Sequence, residues 1–252
     1  MPVLHPWWPD GSPLWLHPHL LFELLSYVVG IVILAFMRRG GGDRVASFEH
    51  RVILSVGMLA GATLGAKSLY LLTDPVATWE HLNDLQWLLG GKTIAGALLG
   101  GIGAVEVTKL FLGIRHSTGD VLIPGLTVGI AVGRLGCFFT GISDGTHGVV
   151  TAVPWAMNLG DGLMRHPTAA YEVVALLILG ATTMSLRPHL RNGDAFALWA
   201  AGYLAWRVAV ESIKTQPFWV SGLSAIQAAC LIGLLYYAIV AVLRLRGSTM
   251  ES

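Results

Sequence analysis

This sequence predicts an all-α protein that crosses a membrane about seven times. Three observations lead there. Of 252 residues, 54% are hydrophobic and only 12% charged, whereas soluble domains carry about 25% charged residues. The apolar residues gather into runs of about 20, the length that spans a bilayer. Lys and Arg concentrate on alternate loops between those runs, as a polytopic chain requires.

The spans are read, in order, as His19–Met37, Val52–Leu72, Ile94–Gly113, Val121–Gly141, Thr168–Leu186, Ala195–Ile213 and Leu223–Leu243. Gly, Pro and charged residues mark the gaps, which are too short for a soluble domain. One integral membrane domain, 1–252, is therefore expected. No cleaved signal peptide is expected, because no basic stretch or small-residue cleavage site precedes the first span.

Arg38, Arg39, Arg44 and Arg51 follow span one, Arg115 follows span three, Arg187 and Arg191 follow span five, and Arg244 and Arg246 follow span seven. The other side has Lys92, Arg165 and Lys214. The rule that basic loops stay inside places the N-terminus outside and the C-terminus in the cytoplasm. Trp7, Trp8, Trp15, Trp79, Trp87, Trp155 and Trp219 then fall at the outer interface, where tryptophan is enriched. A net charge of +1 with no basic patch or stacking motif gives no sign of nucleic acid, and no nucleic-acid partner is expected.

Charges inside apolar spans cost a few kcal/mol each unless they face the bundle interior or a wet cavity. Glu23, Lys67, Glu106, Lys109, Arg134, Glu172, Arg207, Glu211 and Lys214 lie within or at the ends of such runs. The spacing of Glu106 to Lys109 and of Arg207 to Glu211 allows pairing along one helix face. Arg134, in "GRLGCFFTGISDGTHG", has no acid near it in sequence before Asp144. Counted from Asp120 at 1.5 Å per residue, it lies about 21 Å along its helix, in the outer half of a core about 30 Å thick. Arg207 reaches the same level in span six, and His166, Tyr171 and Glu172 begin span five there. Gly90, Gly91, Lys92 and Gly96 in "GGKTIAGALLGG" begin span three there.

A buried arginine wants an anion, and its planar fork suits phosphate. Gly133, Gly136 and Gly141 remove side chains, so a lipid headgroup or a neighbouring helix can come close. Two readings stay open: Arg134 meets a phospholipid phosphate, or it pairs with Glu211 or Glu172 as interhelical glue.

Taken together, "GAKSLY", "GGKTIAGALLGG", "STGD", "GRLGCFFTG", "RHPTAAYE", "YLAWRVAVESIK" and "GLSAIQ" resemble, in order and spacing, the prolipoprotein diacylglyceryl transferase family over most of the chain. The resemblance implies a bacterial inner-membrane enzyme. It would move the diacylglyceryl group of phosphatidylglycerol onto a preprolipoprotein lipobox cysteine, forming a thioether and releasing glycerol phosphate. Arg134 matches the family's GR-x-G arginine. Arg207 and Glu211 match its sixth-span motif, and His166, Tyr171 and Glu172 its HP…YE segment. Arg134 and Arg207 suit the departing phosphate. The acceptor thiol must lose its proton, because the thiolate is the nucleophile.

The chain also departs from the family pattern. Ala95 stands where the family carries histidine in span three. Cys137 replaces a usual asparagine, "ISDGTHG" supplies Asp144 and His147 in place of the expected acidic motif, and Lys214 stands where arginine is more usual. Thiol activation then falls to His147, Asp144, His166 or Glu211. Low turnover of an ordinary lipobox peptide is expected, and an imidazole returned at position 95 is expected to raise it. The alternatives are a paralogue acting on another lipid or acceptor, and a non-catalytic phospholipid-binding or transport protein. Candidate substrate-binding residues are Gly133, Gly136, Cys137, Gly141, Asp144, Tyr171, Glu172, Lys214, Gly90, Gly91, Lys92 and Gly96. Candidate catalytic residues are Arg134, Arg207, Glu211, His166 and His147.

The remaining residues read plainly. Cys230 packs, and Cys137 either packs or is activated beside Arg134. His17 and His19 are interfacial. Residues Met157–Asp161, "MNLGD", form a surface turn or cover a headgroup. With no CxxC or His-rich pattern, neither a metal nor an organic cofactor is expected.

Overall fold

The computed structural model describes residues 17–39, 45, 47–215 and 222–249. Trp7, Trp8, Trp15 and Trp219 lie outside them. The described residues form α1 (Pro18–Met37), α2 (Phe48–Thr73), α3 (Pro75–Glu80), α4 (Leu85–Leu89), α5 (Ile94–Leu112), α6 (Ile123–Thr140), α7 (Thr168–Leu186), α8 (Asp194–Glu211) and α9 (Ala225–Thr249). A two-residue hairpin, β1 (Met157–Asn158) and β2 (Met164–Arg165), is the only paired sheet among them. The protein is an all-α, multi-pass membrane protein.

Six helices are long and apolar enough to cross a membrane: α1, α2, α5, α6 with its flanking turns, α7 and α9. The expected sixth span, Ala195–Ile213, is the helix α8, whose 18 residues include Asp194, Arg207 and Glu211. Large apolar side chains stand uncovered along the spans, among them Phe36 at 75% and Phe111 at 86%. Such surfaces suit lipid rather than water.

The helices pack in two compact units whose segments alternate along the chain. The first holds α1, α6, α7, the start of α8 to Trp199 and residues 212–215. Here α1 lies against α6 along a run of glycines. A Cβ on Gly125 would stand 2.9 Å from the Gly30 carbonyl oxygen, and one on Gly136 would stand 2.6 Å from the Phe22 Cβ. Small residues let two membrane helices approach this closely. Asp120, of the "STGD" motif, accepts from the Gly193 and Phe196 amides at 2.8 and 2.9 Å. It thereby caps the start of α8, satisfying donors a helix end leaves open.

The second unit holds α2 to α5, residues 200–211 and α9. Gly61 and Gly65 of α2 face Gly100 and Gly96 of α5; a Cβ on Gly65 would lie 2.9 Å from the Gly100 Cα. In "GLSAIQ", Ser224 Oγ accepts from the Gln227 amide at 3.1 Å and Gln227 Oε1 accepts from the Ser224 amide at 3.0 Å. This reciprocal capping box starts α9, and Gln227 Nε2 also donates to the Val208 carbonyl at 3.1 Å.

Candidate active site

Arg134 sits in the C-terminal half of α6, 6% exposed. Its Nε is ion-paired with the Glu172 carboxylate of α7. Glu172, one of the two acids left open by the sequence, is a partner the fold supplies. Lys214 Nζ lies 3.7 Å from the other Glu172 oxygen, and the Glu172 side chain is wholly buried. Two cations thus converge on one buried carboxylate. Lys214 is held there by backbone pairing: the Val149 amide donates to the Ile213 carbonyl at 2.8 Å, and Gly148 bridges to Lys214.

The α1–α6 glycine packing has a second consequence. A Cβ on Gly136 would lie 3.5 Å from the His19 Cα, so the first turn of α1 runs directly beside α6. His19 Nδ1 consequently lies 2.7 Å from Asp144 Oδ1, and the donor atoms of His19, Cys137 and Asp144 all lie within 4.8 Å of one another. Arg134 Nη1 donates toward Cys137 Sγ at 3.8 Å, and the Thr146 hydroxyl donates to Asp144 Oδ2. His19, expected at the interface, also belongs to this cluster. Local spacing could not reveal the set, because His19 comes from α1, Cys137 from the far end of α6 and Asp144 from the turn after it.

The glycine expectations divide. Gly133 and Gly136 face Ser26 and Phe22 of α1, so helix packing uses the space assigned to a headgroup. Gly96 is likewise filled by the Gly65 carbonyl of α2. Gly141 has φ +71°, and a Cβ there would lie 2.5 Å from the Leu159 carbonyl oxygen; it is a turn glycine. Gly91 has φ +58° and is covered by the Tyr70 ring, while Lys67 Nζ donates to the Gly90 and Gly91 carbonyls. Lys92 is exposed.

His147 and Cys137 line one small, partly open cavity with Phe138, Thr146 and Thr168. His147 Nε2 is 3.3 Å from the Thr215 hydroxyl. Burial, then the nearby Arg165 charge, hold its pKa below the usual 6.5, so the ring is neutral at pH 7 and able to accept a proton. His166 is differently engaged: its Nδ1 is 3.1 Å from the Tyr171 hydroxyl, which accepts from Trp155 Nε1 at 2.7 Å. The "MNLGD" segment is a turn. Asn158 Oδ1 accepts from the Gly160 and Gly162 amides at 2.9 and 3.0 Å, and Arg165 closes on Asp161 at 2.7 Å.

In the second unit, Arg207 Nη2 meets Glu211 Oε2 at 2.6 Å across one helical turn, and both side chains are buried. Lys109 and Glu106 pair at 3.0 Å, as their spacing indicated. Cys230 is fully buried.

The profile of the family described as prolipoprotein diacylglyceryl transferase matches residues 47–243. The chain belongs to that family. A Dehalococcoides mccartyi protein named phosphatidylglycerol–prolipoprotein diacylglyceryl transferase is 30% identical over 81% of this chain and 80% of its own length. The proteins of the same name from Cutibacterium acnes and Geobacter sulfurreducens are 31% and 30% identical, over 82% and 78% of this chain and 73% and 79% of their own lengths. The matched stretch contains Arg134, Cys137, Glu172, Arg207 and Glu211. His19 lies before it.

Proposed function

We propose that this chain transfers the diacylglyceryl group of phosphatidylglycerol to the lipobox cysteine of a preprolipoprotein, at the outer face of the bacterial cytoplasmic membrane. One observation carries the reading: the fold brings two buried cations, Arg134 and Lys214, onto one carboxylate, Glu172. A phosphodiester monoanion suits a buried site built on two cations, and burial strengthens the attraction. Glu172 fixes the guanidinium, whose planar fork matches phosphate oxygens.

In the reaction the acceptor thiol loses its proton, and the thiolate attacks the glyceryl carbon that bears the phosphate ester. The C–S bond forms as the C–O bond breaks, and glycerol phosphate departs with the electron pair. Arg134 and Lys214 stabilise the charge that grows on the leaving phosphate. His147, neutral and lining the cavity, takes the thiol proton. His166 acts through Tyr171 as a positioning residue. The assignment of Arg207 and Glu211 to catalysis rests on the sixth-span motif alone.

The test uses detergent-purified protein with phosphatidylglycerol and a lipobox peptide. A peptide mass gain of one diacylglyceryl unit is expected. Ala95, which lacks the imidazole the family carries there, favours a second reading as a lipid binder. Lipid that co-purifies while no peptide gains mass would establish that reading and overturn the first.

A further inference from the structure

His19, Cys137 and Asp144 bring together an imidazole nitrogen, a thiol sulfur and a carboxylate oxygen, all within 4.8 Å of one another. These are zinc donors, and three protein ligands with a fourth position open distinguish a catalytic site from a closed structural one. The surroundings are those that orient metal ligands. His19 Nε2 faces Glu23 Oε2 at 3.7 Å, Asp144 Oδ2 accepts from the Thr146 hydroxyl, and Arg134 Nη1 points at Cys137 Sγ from 3.8 Å. Cys137 and Thr146 also line the small, partly open cavity.

Building on the transferase reading, we infer that His19, Cys137 and Asp144 bind one divalent ion of the zinc class, whose fourth position takes the acceptor thiol. The charges balance: thiolate and carboxylate neutralise the dication. An incoming thiolate adds one negative charge beside the Arg134 guanidinium. A metal-bound thiol is deprotonated outright, which supplies the activation that Ala95 does not. The thiol proton passes to His147, which lines the same cavity as Cys137, and from there to solvent. The bound sulfur attacks the glyceryl carbon, the C–S bond forms, the C–O bond to phosphate breaks, and glycerol phosphate leaves as the anion. No atom changes oxidation state through the metal, which keeps its charge.

The experiment titrates chelator-treated, tag-free full-length protein in detergent with cobalt(II). One equivalent should bind, with a near-ultraviolet sulfur-to-cobalt band and intense visible bands of a four-coordinate ion. Cys137→Ser should lose the sulfur band, while Cys230→Ser keeps it. His19→Ala and Asp144→Asn should weaken binding by about tenfold or more. Thermal unfolding of each variant separates loss of the site from loss of the fold, and Asp144→Asn keeps the shape if Cys137→Ser does not. A lipobox peptide should perturb the visible bands, and the same peptide with serine for cysteine should not. No binding at one equivalent, or a sulfur band that survives Cys137→Ser, overturns the site. Binding with no response to the peptide thiol overturns its role as thiol carrier. Binding with that response but no thioether product overturns the transferase reading and leaves the metal site standing.

Discussion

The Arg134 guanidinium of α6 is ion-paired with the Glu172 carboxylate of α7, whose side chain is completely buried. That pair decides how the arginine is held, and Lys214 joins it at the same carboxylate. Arg134→Ala should lower turnover of phosphatidylglycerol by about 10²–10³, the loss seen when one transition-state donor is removed. Arg134→Lys should recover only a small part, because the ammonium lacks the bidentate fork. Steady-state assays on folded variants check this, and full activity in Arg134→Ala would make the arginine structural or spare.

Arg207 and Glu211 form a buried pair within α8. Removing one partner strands a charge, so Arg207→Ala should destabilise by about 3–5 kcal/mol. Arg207→Met with Glu211→Leu should be much milder in a thermal melt, since the pair then leaves together. A double variant as unstable as Arg207→Ala would show that other contacts of the two residues dominate.

Burial at position 95 bears on the expectation of regained activity. Ala95 is 1% exposed, so an imidazole there must displace its neighbours, at a cost of about 1–3 kcal/mol. Ala95→His should melt earlier and show no gain on a lipobox peptide. A rise in turnover with an unchanged melting temperature would show that the site has room for the ring.

Burial and the Arg165 charge keep the His147 pKa below 6.5. Its neutral form is therefore complete at pH 7 and is lost only as pH falls through that lowered value. Turnover should be level near neutrality and fall in acid. His147→Gln should reduce the plateau by about 10²–10⁴, the span of general-base effects. An unchanged profile in His147→Gln would exclude it as the proton acceptor.

The orientation rests on the distribution of basic loops. A cysteine introduced at Thr78 or Asp161 should react with an impermeant maleimide in cells whose outer membrane has been opened. One at Gly41 or His189 should stay unlabelled. The opposite pattern would invert the topology and remove the outward-facing site.

By itself the sequence determined what depends on neighbours along one helix. Runs of apolar residues long enough for a bilayer marked the spans, since no other structure satisfies their backbone in lipid. The cost of intramembrane charge pointed to Arg134, and one-turn spacing marked the Glu106–Lys109 and Arg207–Glu211 pairs. Glycine content showed that something approaches α6 closely. Only the tertiary structure decided that α1 is what approaches, that Glu172 pairs with Arg134, and that His19 meets Cys137 and Asp144. Those relations join residues from different helices. Their register is set by which small residues let two backbones touch, and spacing along the chain carries no record of it.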